Sequence, residues 1–341
     1  MATKKRGADQ NSVQSARVDT MAGAVAPTAA VRRALAACDA SLYPDPLSAD
    51  LRRRLQHAVG VDADRIVVSN GASELAHLLA RSVGPGSLAF VPAPADPEWD
   101  RAARLAGLIT ASHPADQGGG FDLSGCCARI AQLKPAIVFV ASPNPVTGRA
   151  LEASQIGTLL EASGQGLLVI DDSLACFAAS SPDLREWMPS GNFVLIRSLA
   201  PAFGLGGLRI GHAVANPKLA AALTQQQARW SVSAVAQAAA AAALDDIDRY
   251  RDAWVRVRRQ RDAMNRGLAR AGFATLASDA DFVAVEIDDA EAHAERMGRA
   301  HARVAAAGTF GMPRLLRIGV RAAVEAEALI ASLAVSGERM R

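Results

Sequence analysis

Hydroxyl, amide, carboxylate and guanidinium side chains gather in this sequence where short apolar runs stop. Ile66-Val67-Val68 leads into Ser69-Asn70-Gly71-Ala72-Ser73-Glu74, and the run 136–140 leads into Ser142-Pro143-Asn144-Pro145. The run 166–170 stops at Asp171, and the run 193–196 stops at Arg197-Ser198. Groups of these types hold small anions and move protons. The nucleophiles are unevenly supplied. Of 37 basic residues only Lys4, Lys5, Lys134 and Lys218 are lysines, and none lies between residues 135 and 217. The four cysteines, Cys38, Cys126, Cys127 and Cys176, form no CxxC pair or Cys/His cluster at zinc spacing, so no metal is expected.

The elements that must position these groups follow from the apolar pattern. The runs are continuous rather than alternating, as in strands buried on both faces, and helical stretches separate them. That rhythm predicts a mainly parallel sheet sandwiched by helices, an α/β fold whose ligands bind outside the carboxyl ends of the strands. The polar groups sit at those ends. Earlier, 27–37 and 51–59 read as helices on either side of the proline-bearing turn Leu42-Tyr43-Pro44-Asp45-Pro46. Beyond residue 216 come an alanine-rich stretch at 231–244, an arginine-laced helix at 247–271, strands at 282–287 and 315–320, and a last helix at 324–333. The division expected is a polar arm at 1–26, a large domain at 51–249, and a smaller α+β domain made of 27–50 and 250–341.

With 341 residues, half of them hydrophobic and 21% charged, the chain is neither a disordered tail nor a disulfide-stapled scaffold. A net charge of +3 points to neither nucleic acid nor an anionic membrane. No apolar run is long enough to span a bilayer, and no apolar stretch follows Lys4-Lys5-Arg6 as in a secretory leader. A cytoplasmic protein is expected.

In order and spacing, the segments 42–46, 70–74, 142–148, 169–177, 197–211 and 316–320 resemble the fold-type I (class I/II) aminotransferase superfamily of pyridoxal phosphate (PLP) enzymes. Within it the chain looks most like the branch of threonine-phosphate decarboxylase and histidinol-phosphate aminotransferase, over residues 27–335. The resemblance implies an aminotransferase-like large domain and a smaller α+β domain. It also implies a phosphate cup of Gly71, Ala72, Ser73, Ser198 and Arg209, in which backbone N–H groups at a helix start favour an anion. Asp171 then matches the carboxylate facing the pyridine nitrogen, and Arg317 the arginine that grips the substrate carboxylate. Tyr43 matches a tyrosine sent across a dimer interface. For each, a bland alternative stands beside the match: a turn glycine, a helix cap, a surface ion pair, a packed tyrosine.

The resemblance breaks where the reactive lysine belongs, three residues after Ser198. Pro201 stands there, without an amine to form an imine. The position of the ring-stacking aromatic is Asp96, with Trp99 three residues on. The asparagine that bonds the phenolic oxygen aligns with Pro145, one place after Asn144, and its tyrosine partner aligns with Leu174. No covalent cofactor is therefore expected, while PLP or pyridoxamine phosphate held noncovalently stays open. Three readings follow. The first is an enzyme acting on a small phosphate- or carboxylate-bearing substrate without a lysine aldimine, with Asp171, Asp172, Asp96, His212 or Cys176 as acid–base candidates, His212 being equally readable as a core histidine. The second is a non-catalytic pseudoenzyme pairing with an active partner. The third is a conventional PLP-dependent decarboxylase or aminotransferase. A homodimer or a hetero-oligomer with a related subunit is expected in each case.

Overall fold

The computed structural model describes residues 24–116, 119–299 and 304–338. Residues 1–23 of the expected arm, with Lys4 and Lys5, lie outside the described residues. The Thr28 hydroxyl caps α1 (Ala29–Ala37) by accepting from the Val31 N–H, and the Thr28 N–H donates to Tyr250 Oη at 3.1 Å. Helix α2 (Ala49–Val59) buries Leu51 and Leu55 and stops at Gly60, whose φ of +77° suits glycine. The chain then alternates through β1 (Ile66–Ser69), α3 (Gly71–Ser82), β2 (Leu88–Phe90), α4 (Pro97–Leu105), β3 (Ile109–Ala111) and α5 (Leu123–Leu133). It continues with β4 (Ile137–Ala141), α6 (Ala153–Ser163), β5 (Leu167–Asp171), β6 (Phe193–Ser198), the short α7 (Ala200–Phe203), β7 (Gly211–Val214) and α8 (Pro217–Gln226).

Seven strands form one sheet in the order β1-β7-β6-β5-β4-β2-β3. Only β7 runs against its neighbours, β1 and β6. The carboxyl ends of β1, β5 and β6 therefore share one edge with the start of β7. Side-chain alternation splits the core by face. Val67, Phe139, Val169, Val194, Ile196 and Ala213 pack with α3, α4 and α8 on one side. Val138, Val140, Leu168, Ile170, Phe193, Leu195 and Val214 pack with α5 and α6 on the other. Both faces are covered, which is why these strands read as unbroken apolar runs.

Helices α9 (Ala234–Asp245) and α10 (Ile247–Arg270) lead to β8 (Thr275–Leu276), β9 (Phe282–Glu286), α11 (Ala290–Arg299), β10 (Val304–Ala307), β11 (Met312–Gly319) and α12 (Ala323–Glu338). These four strands make a second, antiparallel sheet in the order β10-β11-β9-β8. One apolar cluster runs from Val31 and Leu51 through Phe203 and Tyr250 to Leu316 and Leu329, joining the two parts without a break. No helix among the described residues is long and apolar enough to cross a membrane.

Candidate functional site

The edge where β1, β5 and β6 end is built around the first turn of α3. Gly71 opens that helix with φ +76°, and the Asn70 side chain provides no cap. The early N–H groups of a helix have no intrahelical partner, so this turn presents free donors and the positive end of the helix dipole. Glu74, in the same turn, folds back on the N-cap: its Oε2 accepts from the Asn70 N–H at 2.7 Å and from Gln227 Nε2 at 2.9 Å. The Arg209 guanidinium lies over the turn, with Nη2 donating to Ser73 Oγ at 3.5 Å. A Cβ on Gly71 would come within 2.7 Å of that nitrogen, so the approach needs glycine. Arg209 itself sits in the left-handed region at φ 53°. It makes no ion pair among the described residues, and the Glu74 carboxylate is engaged with the Asn70 N–H and Gln227.

Ser198 joins this cradle through the sheet. It pairs with Gly211 across β6 and β7, and a Cβ on Gly211 would lie 3.1 Å from the Ala72 nitrogen. Gly211 thus sets Ser198 one strand away from the start of α3, where Arg209 meets Ser73. The Ser198 Oγ accepts from the Ala200 N–H at 3.2 Å, starting α7. Pro201 occupies the first turn of α7, where a missing N–H breaks no helix bond.

Ser173, which sequence reasoning passed over, ties Asp171 to Ser198. Its Oγ donates to Asp171 Oδ1 at 2.5 Å and accepts from the Ser198 N–H at 2.7 Å, while its own N–H donates to Asp171 Oδ1 at 2.9 Å. The available signal was an aspartate at a strand end with a serine two residues on, a pattern that folds back on its own backbone. Burial pushes the Asp171 carboxyl up to about 6, against the lowering effect of the Ser173 hydrogen bonds and with the help of the Asp172 and Asp96 charges. Such a group exchanges a proton near neutral pH.

Arg317 is buried on β11, with its guanidinium over the Phe310 ring at 4.5 Å and Nη1 donating to the Pro145 carbonyl at 2.9 Å. It is not a surface residue. The loop it touches is held by Asn144, whose Nδ2 donates to the Pro94 carbonyl at 2.7 Å and whose Oδ1 accepts from the Val146 and Thr147 N–H groups. The Asn144 amide is committed to the loop rather than offered to a ring. Asp281, next to β9, is buried, and burial pushes its carboxyl up to about 7 against the lowering influence of Arg317.

Other candidates separate. Asp96 caps α4 by accepting from the Glu98 N–H at 2.9 Å, close enough for its charge to act on Asp171. Trp99 does not lean into the site: it is buried and stacks on Phe139, with centroids 5.8 Å apart. His212 pairs with Arg197, one residue from Ser198, and so projects from the opposite face of the sheet together with Asp172 and Cys176. Alternation along β7 carried that information. Burial pushes the Cys176 thiol up and removes it as a nucleophile. Tyr43 is 80% exposed, its ring 4.8 Å from that of Trp230. Lys134 follows α5 and Lys218 lies in α8; both sit at the far edge, where β4 starts and β7 ends. Among the described residues no group of three His, Cys, Asp or Glu could hold a metal.

The family model for aminotransferase class I and II matches residues 14–333. Histidinol-phosphate aminotransferase of Nocardia farcinica is 33% identical over 261 residues, spanning 71% of this chain and 64% of that protein. The corresponding protein of Erythrobacter litoralis is 32% identical over 322 residues, 90% of this chain and 87% of its own. Among solved structures, histidinol-phosphate aminotransferase from Sinorhizobium meliloti in complex with pyridoxal-5'-phosphate superposes with a TM-score of 0.85 at 24% identity, covering 95% of this chain and 91% of that one. L-threonine-O-3-phosphate decarboxylase from Porphyromonas gingivalis gives 0.81 at 21% identity, covering 95% and 99%. At these identities the two structures speak to the fold alone.

Proposed function

The chain belongs to the aminotransferase class I and II family, and from that premise we propose that it acts on a small, amino-acid-derived substrate bearing a phosphate or carboxylate, without linking PLP to a lysine. One observation carries the reading: Arg209 lies over the first turn of α3 beside Ser73 with no carboxylate partner among the described residues. A planar guanidinium next to open backbone donors suits a phosphate, which it can grip through two parallel hydrogen bonds. Arg317 would hold a carboxylate at the other end of the substrate. Asp171, whose carboxyl is pushed up to about 6, is the proposed acid–base group.

The residues fit PLP at two of its ends only. Gly71, Ala72, Ser73, Ser198 and Arg209 would take its phosphate, and Asp171 would face its ring nitrogen. They do not fit a covalent anchor, since Pro201 has no amine and Lys134 and Lys218 lie at the far edge of the sheet. When bound, PLP supplies an electron sink; here the phosphate contacts would hold it reversibly. A second reading, a subunit that steadies an active partner, is favoured by the exposed Tyr43–Trp230 pair. Calorimetric titration with inorganic phosphate, repeated in the presence of PLP, tests the main reading. Competition between the two is expected, and independent binding of both overturns the shared phosphate site. Native mass measurement of the purified chain separates a homodimer from a subunit that needs a different partner.

A further inference from the structure

A cavity of about 720 Å³ opens on the opposite face of the large sheet, behind the strand ends that carry Asp171 and Ser198. That volume falls in the range of small-molecule sites. Its walls are apolar and aromatic, with Leu55 from α2, Leu199 and Phe203 near α7, and Trp254 from α10. The Trp254 indole N–H is already spent on the Ala202 carbonyl at 2.7 Å, and its ring stands edge-on to Phe203.

The charged groups around the cavity are matched. Arg197 pairs with Asp172, its Nε donating to Oδ1 at 2.8 Å. Arg54 pairs with Asp50 at 3.0 Å and with Asp245, and Arg251 pairs with Asp248 at 2.7 Å. Among the buried side chains of the wall His212 is the exception. Its side chain is 1% exposed, and neither Nδ1 nor Nε2 has a hydrogen-bond partner. Burial, then the Arg197 charge, pushes its pKa down to about 3, so the imidazole is neutral and carries one N–H donor and one bare acceptor nitrogen. Buried polar atoms of native proteins almost always find partners. An anion would have to break an existing ion pair, whereas an uncharged hydroxyl or amide needs only the imidazole.

We propose that this cavity is a second binding site, which takes an uncharged ring compound carrying a hydroxyl or amide group, hydrogen-bonded to His212 and packed against Phe203 and Trp254. The site is independent of what the opposite edge binds, although both draw on β6 and β7. The probe is para-fluorophenol, followed by fluorine NMR on the full chain, with fluorobenzene as the ring that lacks the hydroxyl. Saturable binding of the phenol at millimolar concentration is expected, with fluorobenzene weaker by about fivefold to tenfold. Two variants locate it. His212→Phe removes the imidazole, and Ala58→Trp, on the exposed last turn of α2, fills the mouth without touching a strand. Both should lose the phenol while keeping inorganic phosphate binding at Arg209. The proposal is overturned if the wild type shows no saturable binding, if fluorobenzene binds equally well, or if either folded variant keeps full affinity for the phenol.

Discussion

Replacing Arg209 by alanine removes the guanidinium that lies over the start of α3. A charge-assisted hydrogen bond contributes about 1.5–3 kcal/mol, which translates into about tenfold to 150-fold in affinity for inorganic phosphate. Arg209 is exposed, so salt screening at physiological ionic strength moves the expectation toward the lower end. Folding should be untouched, because the side chain makes one long hydrogen bond, 3.5 Å to Ser73 Oγ, and no ion pair among the described residues. Alanine inherits the same left-handed backbone that arginine already tolerates. Arg209→Lys keeps the charge but loses the planar fork, and should fall between wild type and alanine. Calorimetric titration at low and moderate salt reads the effect, with the melting temperature as the folding control. Wild-type phosphate affinity in a folded Arg209→Ala protein would refute the cradle.

Gly71→Ala should weaken phosphate binding and lower stability by about 1–2 kcal/mol, because φ is +76° and the new Cβ would press on the Arg209 guanidinium; chemical denaturation and the same titration check both. Asp171 and Asp281 titrate near 6 and 7 in the folded chain, above the ordinary carboxylate value, so the folded state binds protons that the unfolded state has released. The contribution of these two groups to stability is then full below about pH 4 and declines as pH rises through 6 and 7. Asp281→Asn should flatten that decline and raise stability at pH 8, with a ceiling of about 4 kcal/mol; a variant no more stable than wild type at pH 8 contradicts the buried, unfavourable carboxylate. Pro201→Lys should fold normally, since the first turn of α7 loses no hydrogen bond. Its imine with PLP should dialyse away, because the Asn144 amide is committed to the Pro94 carbonyl and to its own loop. An adduct that survives dialysis at full occupancy shows that those ring contacts are unnecessary.

The large sheet was legible because strands covered on both faces leave apolar runs with polar ends. Exceptions have local causes. β3 is three residues long at the sheet edge, with Ile109 exposed, and β10 is mostly alanine; neither carries a run long enough to notice. The grouping of Gly71, Ala72, Ser73, Ser198 and Arg209 was expected from resemblance; the close approach seen there rests on Gly71 and Gly211, whose missing side chains let Arg209 and the β7 backbone approach α3. His212 stood among the acid–base candidates with a core histidine as its alternative, and the strand period places it with Arg197 on the other face. Asn144 stood one place from the family's asparagine in sequence, while two hydrogen bonds within its loop and one to the Pro94 carbonyl decide what its amide does. Arg317, whose bland alternative was a surface ion pair, is buried and meets Phe310 and Pro145 rather than solvent.

The most direct test is to saturate the unmutated protein with PLP, reduce it with borohydride, and map any pyridoxyl group by peptide mass. The expected result is reversible binding that phosphate displaces, with no residue labelled at full occupancy. Stoichiometric labelling of a lysine, prevented by competing phosphate, would mean that an amine reaches the ring after all.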